Sequence, residues 1–71
     1  MDYVRQFEEY YNVPRIQQAY DAGEHLIIDT YNSFNDIMGG NALEAMEEIE
    51  WDLGICLEVS DYMDVVIHGG Y

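Results

Sequence analysis

Ile55-Cys56-Leu57-Glu58-Val59-Ser60-Asp61-Tyr62-Met63-Asp64-Val65-Val66-Ile67 is the stretch on which the fold turns. Ile55, Leu57 and Val59 alternate with polar or small residues, and Met63, Val65 and Ile67 repeat that period of two. Alternation at this spacing sets one apolar face on a strand, and β-branched residues favour it. Ser60-Asp61-Tyr62 supplies the connecting turn, so the segment predicts an antiparallel hairpin ending near Gly69-Gly70. A helix starting at Ser60 is the competing reading, against which the β-branched run Val65-Val66-Ile67 argues. A two-stranded hairpin is marginal by itself in water, so helices must cover it.

Upstream, Gly54 marks the end of a helix over Asn41 to Leu53. Asn41 is a good N-cap, and Glu44, three residues on, completes a capping-box-like arrangement. Leu43, Met46, Ile49 and Leu53 form its expected apolar stripe, with Glu50 out of place. Trp51 lies off that stripe; burial against the hairpin is expected, an exposed interface anchor being the alternative. The preceding segment, His25 to Met38, admits two readings. Ile27, Tyr31, Phe34 and Met38 fall at helical spacing, whereas Leu26-Ile27-Ile28 followed by Asp29-Thr30-Tyr31 suits a short strand. The twelve-residue periodicity favours helix, and Gly39-Gly40 closes the segment either way.

Residues 2–11 read as a helix with a stripe of Tyr3, Phe7 and Tyr10, flanked by Val4 and Tyr11. Arg5 faces Glu8 or Glu9 one turn on. Pro14 suits the first turn of a second helix from Pro14 to Ala22, with Ile16 and Tyr20 on one face and Gly23 as its C-terminal cap. The expectation is one α+β domain over residues 1–71, helix-rich with a C-terminal antiparallel hairpin; an all-α domain is the alternative. At 71 residues only about 60% of the unfolded chain's surface is removed on folding, so the core is small and a homodimer is one way of completing it.

Charge narrows the function. Fifteen Asp and Glu stand against Arg5 and Arg15, with no Lys, for a formal net charge of -13. Such a chain repels nucleic-acid phosphate and anionic lipid, since binding either needs Lys and Arg. The expected partner is a basic protein surface, foremost the groove of a nucleic-acid-binding enzyme. With 49% hydrophobic residues and ten aromatic ones (seven Tyr, two Phe, one Trp), the chain is too apolar for a charged coil.

Glu44, Glu48 and Asp52 recur every four residues, forming a row about 12 Å long on one helix face. Glu47 and Glu50 flank it. Like charges at that spacing repel, and neither Arg is at hand to relieve them, so Glu44, Glu47, Glu48 and Asp52 lead the candidate partner-binding residues. Glu8, Glu9, Asp61 and Asp64 come second. Tyr62 heads the tyrosines suited to an interface, with Tyr10, Tyr11, Tyr31 and Tyr71, because a phenol offers apolar area and a polar tip.

Other chemistry finds little support. Asp29, Asn32, Asn35 and Asp36 miss the alternating spacing and central glycine of a calcium loop. His25 and His68, far apart in sequence, read as boundary residues, and Cys56 as buried packing without a disulfide partner, which suits a reducing, cytoplasmic setting. There is no phosphate-cradling glycine loop, nucleophile elbow or zinc-hydrolase motif. No cofactor and no catalysis are expected. No stretch reads as a signal peptide or membrane span.

In size and charge alone, the chain resembles the small acidic nucleic-acid-mimicking inhibitors that phages and mobile elements use against restriction or CRISPR systems. The resemblance implies a carboxylate surface that blocks a basic nucleic-acid groove. It carries a demanding condition. A monomer of this mass exposes roughly 4,500 Å², so evenly spread charge amounts to one unit per roughly 350 Å² by the same scaling. A duplex about 20 Å wide carries one per about 110 Å². Mimicry therefore requires most carboxylates on about one third of the surface. The alternative is an acidic adaptor or regulatory subunit that binds a protein through tyrosine-rich apolar contacts, with affinity that varies little with salt.

Overall fold

The computed structural model describes residues 2–69. In chain order these form α1 (Tyr3–Tyr10), α2 (Val13–Asp21), β1 (Leu26–Thr30), α3 (Tyr31–Ile37), α4 (Ala42–Leu53), β2 (Leu57–Val59) and β3 (Asp64–Ile67). The class is α+β, with the C-terminal hairpin made by β2 and β3; the all-α alternative does not hold. Its register pairs Leu57 with Ile67, Glu58 with Val66 and Val59 with Val65. Ser60 organises the turn: its Oγ accepts from the N–H groups of Tyr62 and Asp64, at 3.3 and 3.2 Å. Met63 takes a positive φ of 61° to close it.

The sheet has a third strand that the helical reading of residues 25–38 missed. Strand order is β1-β3-β2, all antiparallel, with Leu26 opposite Ile67 and Ile27 opposite Val66 before a register shift. The first half of the segment is thus strand and only the second half helix. The reason is non-local: a hairpin of β2 and β3 alone would leave one edge of β3 unpaired, and β1 pairs along it, satisfying backbone groups that a lone hairpin leaves to water. At the junction, Thr30 caps α3, its Oγ1 accepting from Ser33 N–H at 3.3 Å. Phe34 and Met38 keep their helical spacing and are both fully buried.

The outer helices follow their sequence signals with shifts of phase. Asp2 caps α1 by accepting from Arg5 N–H, and Asn12 caps α2 by accepting from Arg15 N–H. Tyr3 and Phe7 are buried as expected, but Tyr10 points to solvent and Tyr11 packs on the core instead. In α4 the buried positions are Ala42, Ala45, Met46 and Ile49; Leu43, expected inside, is 66% exposed. The small alanines give this face a low profile against its neighbours, turning the helix so that Leu43 faces out.

The α4 cap also differs from expectation. Asn41 makes no side-chain cap, and the Ala42 N–H is taken by Asn35 Oδ1 at 3.0 Å. Glu44 completes no capping box; its carboxylate accepts from the Tyr3 hydroxyl at 2.9 Å. Gly54, at φ 65°, ends the helix as predicted.

Alternation along the strands turns Leu57, Val65 and Ile67 toward the helices and Ile27, Glu58 and Val66 away. The core between the helices and this sheet face is led by Phe7, Phe34, Met38, Ile49, Val65 and Ile67. Total exposed area is 4499 Å², as the mass predicts. Gly69 closes one end of the sheet: a Cβ there would collide with the backbone of Gly23, so the chain after β3 lies directly on the turn between α2 and β1. Gly70, where the hairpin was expected to end, lies outside the described residues.

Candidate functional site

Helical spacing places two parallel rows on the outward side of α4. Glu44, Glu48 and Asp52 form one; Leu43, Glu47 and Trp51 form the other, with the same four-residue step. Together with Asp2 at the N-cap of α1, Glu44, Glu47, Glu48, Trp51 and Asp52 line an open depression of about 600 Å³. The structure therefore brings the four leading candidates together on one surface. The close approach of α1 to α4 fixes one side of it, through the Tyr3–Glu44 hydrogen bond. Donating to that carboxylate, helped by desolvation and by the charges of Glu44 and Glu48, raises the Tyr3 hydroxyl above the usual tyrosine range.

Trp51 is the principal surprise. It was expected against the hairpin, yet it is 88% exposed. Ile49, two residues earlier, takes the inward position in the core, and α4 packs chiefly on α1 and α3 rather than on the hairpin. Trp51 is left in a rim of carboxylates and, among the described residues, belongs to none of the aromatic ring pairs.

The secondary candidates lie elsewhere. Glu8 and Glu9 are exposed on α1, Glu9 reaching Arg5 at 3.9 Å; with both side chains in solvent, that pair contributes at most a few tenths of a kcal/mol. Asp61 and Tyr62 stand on the hairpin turn, Tyr62 at 89% exposure, and Asp64 is half-buried at the start of β3. None of these five residues lines the α4 depression.

The other tyrosines divide. Tyr10 is exposed, whereas Tyr11 and Tyr31 are half-buried against the core. The Tyr11 hydroxyl donates to Asp29 Oδ2 at 2.7 Å. Desolvation, then the bond to Asp29 and its charge, pushes that phenol well above its ordinary range. Tyr71 lies outside the described residues.

Two expectations about individual side chains are corrected at the sheet end. Cys56, read as buried, is a free and exposed thiol, because Ile55 and Leu57 take the inward positions on either side of it. His25 and His68, read as separate boundary residues, are brought together with ring centres 4.5 Å apart. No spacing in the sequence announces that pair; only the β1–β3 register, Leu26 opposite Ile67, places the flanking residues side by side. His68 Nδ1 also meets Glu58 Oε2 at 3.4 Å.

Among the described residues, no three His, Cys, Asp or Glu side chains form a ready metal-ligand set, and no helix is long and apolar enough to cross a membrane. No protein-family model, curated protein or solved structure matches the chain.

Proposed function

We propose that this protein is an acidic adaptor or regulatory subunit, without catalysis of its own, that docks on a basic protein surface through the outward face of α4. Trp51 carries the reading: a nearly fully exposed indole inside a depression lined by five carboxylates. Tryptophan and tyrosine dominate binding energy where they are desolvated at the centre of an interface. The surrounding Glu and Asp suit Arg and Lys on the partner, which also stack on an indole face. Tyr62 and Tyr10, both exposed, extend the aromatic surface at other points of the molecule. The free thiol of Cys56 accords with a reducing, cytoplasmic setting.

Phosphate mimicry is the second reading, favoured by the straight row of Glu44, Glu48 and Asp52. The distribution of charge weighs against giving it first place. Five of the fifteen acidic residues line the α4 depression, and the other ten belong to the remaining surface, from Glu8 on α1 to Asp61 on the hairpin turn.

Capture from the source cell, identification of the partner and its purification allow both readings to be tested. For an adaptor, Trp51→Ala weakens the complex by about 2 kcal/mol or more, roughly thirtyfold, and salt lowers affinity only moderately, because the desolvated indole contact persists when the carboxylates are screened. For a mimic, reversing Glu44, Glu48 and Asp52 together is the damaging change, salt weakens binding steeply, and duplex DNA or RNA displaces the protein. Equal affinity of wild type and Trp51→Ala removes the adaptor reading.

A further inference from the structure

We propose that His25 and His68 form a chelating pair for a zinc-like late transition-metal ion, on the sheet end and apart from the α4 face. The backbone sets the pair. His68 donates its N–H to the Cys56 carbonyl at 3.0 Å, on the β2 side. Toward β1 it therefore occupies the non-hydrogen-bonded position, where opposing side chains approach most closely. The residue it meets there is His25, next to Leu26, and the Gly69–Gly23 contact holds the two chain segments together just beyond.

The spacing suits one ion. Two imidazoles bound through nitrogen at about 2.1 Å have ring centres about 3.2 Å from the metal, hence about 4.5 Å apart at a right angle and about 5.2 Å at the tetrahedral angle. The observed separation is 4.5 Å, with the rings inclined at 60°. Glu58 supplies the outer partner that metal-binding histidines ordinarily have. Its Oε2 lies 3.4 Å from His68 Nδ1, close enough that a small turn of the imidazole would let the carboxylate hold that nitrogen and leave Nε2 for the ion. Both histidines are exposed, so an ion reaches them without rearrangement of the core, and water completes its shell. Imidazole donors select zinc, copper and nickel over magnesium and calcium, while the net charge of -13 raises the local concentration of any cation.

Zinc chloride titrated into the full chain near neutral pH tests the pair. Calorimetry is expected to give one equivalent bound, and the imidazole ring-proton resonances of His25 and His68 to shift together; magnesium produces neither effect. His25→Asn and His68→Asn, each at an exposed position, weaken zinc binding roughly tenfold or more. Glu58→Ala weakens it about tenfold, through loss of the carboxylate beside His68. A Glu44→Gln/Glu48→Gln chain binds zinc like wild type. The proposal is overturned if wild type binds no stoichiometric zinc or if either histidine variant binds as wild type does. Loss of binding in Cys56→Ser, or in the Glu44/Glu48 variant, would equally place the ion elsewhere. The ring-proton readout on the unaltered chain decides the matter even if a variant fails to fold.

Discussion

Two groups of aromatic residues in this small molecule are treated in opposite ways. Phe7, Tyr11 and Phe34 converge between α1, α3 and the sheet, with ring centres 5.0 to 6.4 Å apart and an edge-on contact between the phenylalanines. Phe7 and Phe34 retain no exposed surface. Trp51 and Tyr62, by contrast, are 88% and 89% exposed. Burial of an aromatic ring removes about 150–250 Å² from water, and edge-on pairing adds about 0.5–1.5 kcal/mol beyond that. The first group therefore holds the fold, while the second has its apolar surface still available to another molecule. Phe34→Ala breaks the comparison at its strongest point. Its expected cost is about 3–5 kcal/mol, against a total of about 5–15 kcal/mol for an ordinary domain. Urea denaturation followed by far-ultraviolet circular dichroism measures it. A loss below about 1 kcal/mol would mean that the cluster does not hold α1 and α3 on the sheet.

Tyr11 belongs to the inner group but keeps a polar tip, and it sharpens the contrast through pH. Its hydroxyl donates to Asp29 on β1, tying α1's end to the sheet. In the folded protein the phenol stays protonated well beyond its ordinary range, whereas in the unfolded chain it ionises at about pH 10. Above that value the unfolded state binds fewer protons than the folded one, so stability falls as pH rises; below it the full contribution is present. Tyr11→Phe is expected to cost about 1–2 kcal/mol at neutral pH, through the lost bond to a charged acceptor. It also makes the alkaline decline shallower. The Tyr3 hydroxyl is shifted in the same direction by Glu44, so some decline remains in the variant. Melting curves from neutral pH to above about pH 10 check both effects, and an unchanged alkaline slope would assign the decline to other groups.

What was readable beforehand divides along the same line between local and non-local causes. The hairpin showed itself through a period of two and a turn organised by Ser60, both short-range features. Helix α4 showed itself through its length and Gly54, and the row Glu44, Glu48, Asp52 through helical spacing alone. The phase of α4 did not, because hydropathy ranks Leu43 above Ala42 and Ala45, while the fit against neighbouring elements favours the smaller side chains. Trp51 was misplaced with it. Residues 25–38 carry a genuine helical period, but their first half pairs with β3, nearly forty residues away in the chain. The His25–His68 pair depends on that same ladder, so no reading of either neighbourhood alone reveals it.

The outer group yields the smallest expected effect on folding. Trp51 has little packing to lose, so Trp51→Ala is expected to change unfolding free energy by no more than about 0.5 kcal/mol. Neutralising the neighbouring row by Glu44→Gln, Glu48→Gln and Asp52→Asn relieves two like-charge contacts at helical spacing, each worth about 0.2–0.5 kcal/mol. Because the amide oxygen introduced at position 44 would still accept from the Tyr3 hydroxyl, the triple variant should be slightly more stable than wild type at low salt. Added salt screens exposed repulsions, and the advantage should shrink as ionic strength rises. Chemical denaturation in urea, at low and at high sodium chloride, separates these small terms. A clear destabilisation by Trp51→Ala would show the indole contributing to the fold, and would return it to the class of Phe7 and Phe34. A neutral result leaves complex formation as the process in which that indole can lose its contact with water.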